Sequence, residues 1–182
     1  MPDAEKAWAF LRNSDPIASA EEVQAAVRDV ATQIETRLAG ACPLVLIVMG
    51  GAVVFAGQTL PLLRSPLDFD YIHVSRYESA TSGARVEWRV TLPDGVKGRT
   101  ELVLDDILDG GQTMSAIRDR LLVLGAQAFY CAVLVEKMLA HAKPIAADFV
   151  GLRIPDRFVF GCGMDAKGFW PNLPEIRAMR ET

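Results

Sequence analysis

Asp105, Asp106 and Asp109 stand within five residues of one another, and Gly110, Gly111, Gln112 and Thr113 follow at once. Carboxylates this close repel, and a divalent cation or a hydroxyl-bearing ligand relieves the repulsion. The glycines allow positive φ and close approach of a ligand. The first N–H groups of a following helix would then point at that ligand, and an anion suits them. A D-G-G-x-T string also caps helices in purely structural roles. The acidic residues beside it shift the reading to a magnesium-assisted site for a phosphate-bearing sugar.

The elements needed to hold these residues can be read on either side of them. Leu102–Leu104 is a short apolar run closed by the acidic pair, as expected of a buried strand at a sheet's carboxyl edge. Met114, Ile117, Leu121 and Leu124 then recur at helical spacing. Leu44–Met49 repeats the pattern: an apolar run, the small residues Gly50, Gly51 and Ala52, and a helical-looking stretch to Leu63. Asp68–Ser75 and Val86–Leu92 read as strands around a polar arm, and Ala128–Val135 as a strand ending at Glu136 and Lys137. Between Ser19 and Leu38, Val23, Val27, Val30, Ile34 and Leu38 share one helical face, with Ser19 and Glu22 placed as a capping box. Strands alternating with helices predict an α/β fold with a mostly parallel sheet.

Bulk properties bound the rest. A chain of 182 residues, 51% hydrophobic and 23% charged, suits one globular domain. A formal charge of -4 and the lack of a Lys/Arg cluster speak against a nucleic-acid surface. Cys42, Cys131 and Cys162 lie in apolar surroundings without metal-ligand spacing and read as reduced core thiols. His73 and His141 are too few for a histidine metal site. No secretory signal and no membrane-length apolar run is visible, so a cytoplasmic location is expected.

The string L-V-L-D-D-I-L-D-G-G-Q-T resembles the phosphoribosyl pyrophosphate signature of type I phosphoribosyltransferases. Further on, I-P-D-R-F-V-F-G-C-G-M-D is similar to the purine end of the hypoxanthine-guanine branch of that family, whose core is I-P-D-[KR]-F-V-x-G-x-x-x-D. The resemblance covers about residues 20 to 180. It implies a twisted, mostly parallel sheet flanked by helices, with a core over about 40–150 and a small hood built from about 1–40 and 151–182. It also implies magnesium, purine-base and phosphoribosyl pyrophosphate substrates, and a homodimer or homotetramer.

Residue by residue, the resemblance gives Asp105 and Asp106 to the ribose and, with Asp165, to the metal. Gly110, Gly111, Gln112 and Thr113 hold the 5′-phosphate, and Gly50 and Gly51 form a pyrophosphate loop with a cis peptide bond at Met49-Gly50. Asp109 becomes the general base or acceptor at N7 of the purine. Arg76 and Tyr77 match a loop that closes over the ribose. Lys137 faces the purine's exocyclic oxygen, with Phe158 stacking on the base, the Val159 backbone at its edge and Asp165 toward the pyrophosphate. Read without the resemblance, Phe158 is a core-packing ring.

Three positions depart from the family. Gly110 stands where Thr or Glu is common, Gln112 where Lys or His is, and Pro171 where an Arg follows the aromatic pair Phe169-Trp170. The last is the serious one, because a guanidinium binds pyrophosphate through two parallel hydrogen bonds. The expected activity is conversion of hypoxanthine or guanine to its nucleotide. A xanthine transferase and a non-catalytic nucleotide sensor stay open.

Overall fold

The computed structural model describes residues 3–77 and 85–180, with the backbone alone at 75–77 and 85. In chain order the elements are α1 (Ala4–Arg12), β1 (Ser14–Ala18), α2 (Ala20–Leu38), β2 (Leu44–Met49), α3 (Ala52–Thr59), β3 (Asp68–Tyr77), β4 (Arg85–Val90), β5 (Thr100–Leu108), α4 (Gln112–Val123), β6 (Ala128–Met138), β7 (Phe149–Pro155), β8 (Val159–Phe160) and β9 (Ile176–Met179). Six strands make one sheet in the order β4-β3-β2-β5-β6-β7, and β1-β9-β8 make a second. In the larger sheet every pairing is parallel except β3 with β4. The continuous apolar runs of β2, β5 and β6 follow from that arrangement, since central parallel strands are covered on both faces.

α2 begins as its sequence directs. The Ser19 hydroxyl accepts from the Glu22 amide, and the Glu22 carboxylate accepts from the Ser19 amide at 2.7 Å. Val23, Val27, Val30, Ile34 and Leu38 are all buried, each adding roughly 1.5–3 kcal/mol relative to exposure. They pack against β6 and β7. Close approach is possible because Gly151 lacks a Cβ, which would lie 2.7 Å from the Leu134 carbonyl and 3.3 Å from Ala26.

α2 and β7 belong to the larger sheet's layer, because the apolar face of α2 finds its complement on β6 and β7. The smaller sheet, built from the chain ends expected to form the hood, comprises β1, β8 and β9. Two expectations need correcting. β5 does not stop before the acidic pair but continues to Leu108, its ladder with β6 running on to Leu108 opposite Glu136. Cys42 is no core thiol. It is exposed in the turn after α2, at φ 44°. Cys131 and Cys162 are buried, and burial pushes their thiols up to about 12 and about 11.

The hood sheet is tied together by charge and rings. Asp15 in β1 accepts from Arg157 and Arg180, both at 2.8 Å, and these guanidinium groups hold its carboxyl below the usual range. α1 braces the stretch between β8 and β9: the Trp170 indole N–H donates to the Ala7 carbonyl, and the Trp8 and Trp170 rings meet edge-on at 4.9 Å.

Candidate active site

The site forms at the carboxyl edge of the larger sheet, between the ends of β2 and β5. A cleft of about 270 Å³ is lined by Val48, Met49, Gly51, Val74 and the continuous stretch from Asp105 to Met114. Open parallel sheets place ligands at this edge because the loops leaving the strands diverge there.

Gly111 at φ 81° turns the chain from β5 into α4. No side chain caps α4, and none caps α3, whose N-cap is Gly51. α1 and α2, by contrast, are capped by Asp3 and Ser19. The first turns of the two helices that start at the cleft thus carry no side-chain cap, a setting that suits phosphate.

Asp105 and Asp106 sit side by side on β5, the Asp106 amide donating to Asp105 Oδ1 at 3.0 Å. Burial, then the neighbouring Asp106 charge, pushes the Asp105 carboxyl well up. Burial also raises Asp106, with a smaller contribution from the charge of Asp165. That contribution brings Asp165 into the same electrostatic neighbourhood from a different part of the chain. Hard carboxylate oxygens destabilised in this way fit magnesium or the hydroxyls of a sugar. Among the described residues no group of three or more His, Cys, Asp or Glu is arranged to hold a metal alone. A cation here would therefore complete its coordination with ligand oxygens.

Close backbone packing joins the pieces. A Cβ on Gly51 would overlap the Asp106 carboxylate, and one on Gly163, at φ 102°, would overlap the Gly51 carbonyl. The peptide bond Met49-Gly50 is cis. Pro171 contributes its carbonyl, which accepts from the Gly163 amide at 2.8 Å and fixes the loop that carries Asp165. Asp165 itself is exposed and accepts from the Gly168 amide.

Asp109 lies just beyond β5. Lys137 Nζ sits 3.3 Å from its Oδ2 and 3.6 Å from Asp156 Oδ1, with only 12% of the Lys137 side chain exposed. An ammonium donor and a carboxylate acceptor are thus paired at the mouth of the cleft. Phe158 is 53% exposed, so the core-packing reading of this ring is wrong. Val159 is buried in β8 opposite Ala178. The backbone of Arg76 and Tyr77 ends β3, but their side chains lie outside the described residues.

The structure thus brings together Asp105, Asp106, Asp109, Gly110, Gly111, Gln112, Thr113 and Gly51 around one cleft, with Lys137 paired to Asp109. Gly50, Phe158, Val159 and Asp165 stand outside the cleft lining. Val48, Val74 and Lys143 were not anticipated. The two valines are apolar and carried no chemical signal, and Lys143 comes from distant sequence with no local pattern to mark it. Met49 enters the sequence reading only through its bond to Gly50, and Asp156 and Gly163 only as members of the purine-end string, without a site role.

Residues 13–167 match the family described as "Phosphoribosyl transferase domain". The chain is 32% identical over 163 residues to a bifunctional protein TilS/HprT of Listeria monocytogenes, covering 89% of this chain and only 25% of that protein. It is 31% identical to a hypoxanthine-guanine phosphoribosyltransferase of Bacillus subtilis, covering 89% of this chain and 91% of the relative. A solved hypoxanthine-guanine phosphoribosyltransferase of Bacillus anthracis superposes with a TM-score of 0.83 at 28% identity, covering 92% of this chain and 97% of that one.

Proposed function

The chain belongs to the phosphoribosyl transferase family, and on that premise we propose that it is a purine-salvage enzyme transferring phosphoribose to hypoxanthine or guanine. The reaction joins N9 of the base to C1′ of phosphoribosyl pyrophosphate, breaks the C1′–oxygen bond to pyrophosphate and releases the proton of the imidazole ring. The observation that carries the reading is the Asp109–Lys137 pair beside the acidic strand end. Lys137 offers donors to an exocyclic oxygen, and Asp109 offers an acceptor for a proton on N7. That pair complements a 6-oxopurine and leaves the amino group of adenine facing an ammonium.

Asp109 accepts at N7 and so makes N9 more nucleophilic toward C1′ as the latter becomes oxocarbenium-like. Asp105 and Asp106 orient the ribose hydroxyls. The uncapped amides at the start of α4 receive the 5′-phosphate, and those near Gly51 receive the leaving pyrophosphate. Phe158 supplies an exposed ring for the base, and the Val159 backbone its edge. Asp105 and Asp106, with Asp165 near, would hold magnesium, which would supply charge neutralisation for the departing pyrophosphate.

Among the described residues the cleft lining contains three carboxylates and no Lys or Arg, and Pro171 supplies no guanidinium. This keeps the sensor reading as the alternative. Half-exposed Val53 and Leu62, on and just after α3, support self-association as a dimer or tetramer. A cytoplasmic location is part of this proposal. No helix among the described residues is long and apolar enough to cross a membrane.

The test is an absorbance assay with magnesium and phosphoribosyl pyrophosphate, offering hypoxanthine, guanine, xanthine and adenine separately. Turnover of hypoxanthine or guanine, with adenine inert, is the expected result. Turnover of xanthine alone would reassign the base. No turnover of any base, with nucleotide still bound, would replace the enzyme by the sensor.

A further inference from the structure

Lys143 lies outside every motif in the sequence, in the stretch between β6 and β7, and its side chain is only 10% exposed. Its ammonium group is 3.0 Å from the Leu108 carbonyl, 2.6 Å from the Lys137 carbonyl and 3.5 Å from Glu136 Oε1. Three acceptors account for its three hydrogens, so the charge is buried without an orphaned donor. Glu136 is held from its other oxygen by Arg153 at 3.1 Å.

The acceptors are what give this contact meaning. Leu108 is the last residue of β5 and is followed directly by Asp109. Lys137 is the partner of Asp109, 3.3 Å away. Leu108 and Glu136 are opposite one another at the end of the β5–β6 ladder. Beyond that point the parallel pairing no longer sets the distance between the two strands. Lys143 bridges them there, through backbone carbonyls that cannot shift without carrying Asp109 and Lys137 along. The same stretch backs the phosphate turn: a Cβ on Gly111 would meet Ile145 at 3.3 Å, and Lys143 and Pro144 at 3.4 Å.

We infer that Lys143 is a positioning residue that sets the spacing of the Asp109–Lys137 pair by bridging the Leu108 and Lys137 carbonyls. It touches no reacting atom. The catalytic part of this inference rests on the phosphoribosyl-transfer reading. The bridging part does not.

The experiment compares wild type, Lys143→Met and Glu136→Gln, the last removing the charged partner of the ammonium while leaving the carbonyl bonds. Hydrogen–deuterium exchange is followed by mass spectrometry on peptides spanning residues 105–114 and on the rest of the sheet. Lys143→Met is expected to exchange at least about 10-fold faster in 105–114 with β2 and β3 unchanged, and Glu136→Gln to show a smaller effect in the same place. Unchanged exchange at 105–114 overturns the inference, as does uniform acceleration across both sheets. If Lys143→Met fails to fold, Glu136→Gln decides by the same criterion.

Turnover is measured alongside. With wild type active, Lys143→Met is expected to lose about 10- to 100-fold in kcat/KM for the base, the range that a misplacement near 1 Å produces. In the Asp109→Asn background the same substitution is expected to lose less than about 3-fold, because its effect passes through Asp109. An equal loss in both backgrounds marks Lys143 as merely structural and overturns the positioning role. A wild type that converts no purine overturns the proposed activity instead, and the exchange data still decide the bridge.

Discussion

Among the described residues, Glu101 is buried with both carboxylate oxygens lacking a hydrogen-bond partner, and it sits on β5 between Leu44 and Phe129. Burial pushes its carboxyl from the ordinary 4.5 up to about 7, against a smaller opposing effect of Arg99, whose guanidinium is itself engaged by Asp68 at 3.1 Å. The unfolded chain ionises this group near 4.5, whereas the folded chain resists until about 7. Below the lower value both states are protonated and Glu101 costs nothing through titration. As pH rises between the two values the unfolded state gains and stability falls, and above the upper value the full penalty, about 3 kcal/mol at most, is present.

Glu101→Gln removes the titration while keeping the shape. A buried amide without partners has its own cost, but that cost does not change with pH. The stability of the variant relative to wild type is therefore expected to rise by about 2–3 kcal/mol between pH 5 and pH 8. With a urea dependence near 2 kcal/mol per molar, this is a relative midpoint shift of about 1 M. Urea titrations followed by tryptophan fluorescence at half-unit pH steps measure it, and subtracting the two curves removes the contributions of Asp105 and Asp106. Parallel curves across that range would refute the argument.

Other perturbations test the site. Asp109→Asn is expected to lower kcat by about 10²–10⁴ with little change in KM for the base; steady-state kinetics showing equal effects on both would count against the general-base role. Gly51→Ala drives a methyl group into the Asp106 carboxylate, so kcat/KM for phosphoribosyl pyrophosphate is expected to fall at least about 10-fold while melting changes little. Chelation with EDTA is expected to abolish turnover and magnesium to restore it; full activity after chelation and dialysis would remove the metal from the mechanism. At pH 8 iodoacetamide is expected to add one group to the folded protein, at Cys42, since Cys131 and Cys162 are buried and held as thiols; intact-mass measurement reads the count.

Much of the scaffold was legible because its causes are local. The capping box of α2 and its buried stripe lie within one helix, and the apolar runs of β2, β5 and β6 mark strands covered on both faces. Most of the cleft's acidic and glycine residues were legible for a related reason: all but Gly51 lie in one unbroken segment, Asp105 to Thr113, at a strand-to-helix turn. Even there the strand's end was misplaced. Carboxylates at 105 and 106 look like a loop, and only the ladder with β6 keeps them in the strand.

The sequence by itself determined the kinds of element, the order in which they come and the group of residues with chemistry to offer. Hydrophobic period, capping and turn geometry act over a few residues and leave their mark there. Tertiary structure decided what those residues face. It set Lys137 against Asp109 and Asp156, pressed Gly163 onto Gly51, exposed Phe158 and Cys42, enclosed Glu101 and brought Lys143 under the ends of two strands. Most of these contacts join residues far apart in the chain, and their distances are set by how sheet, helices and hood pack together, which no local pattern encodes.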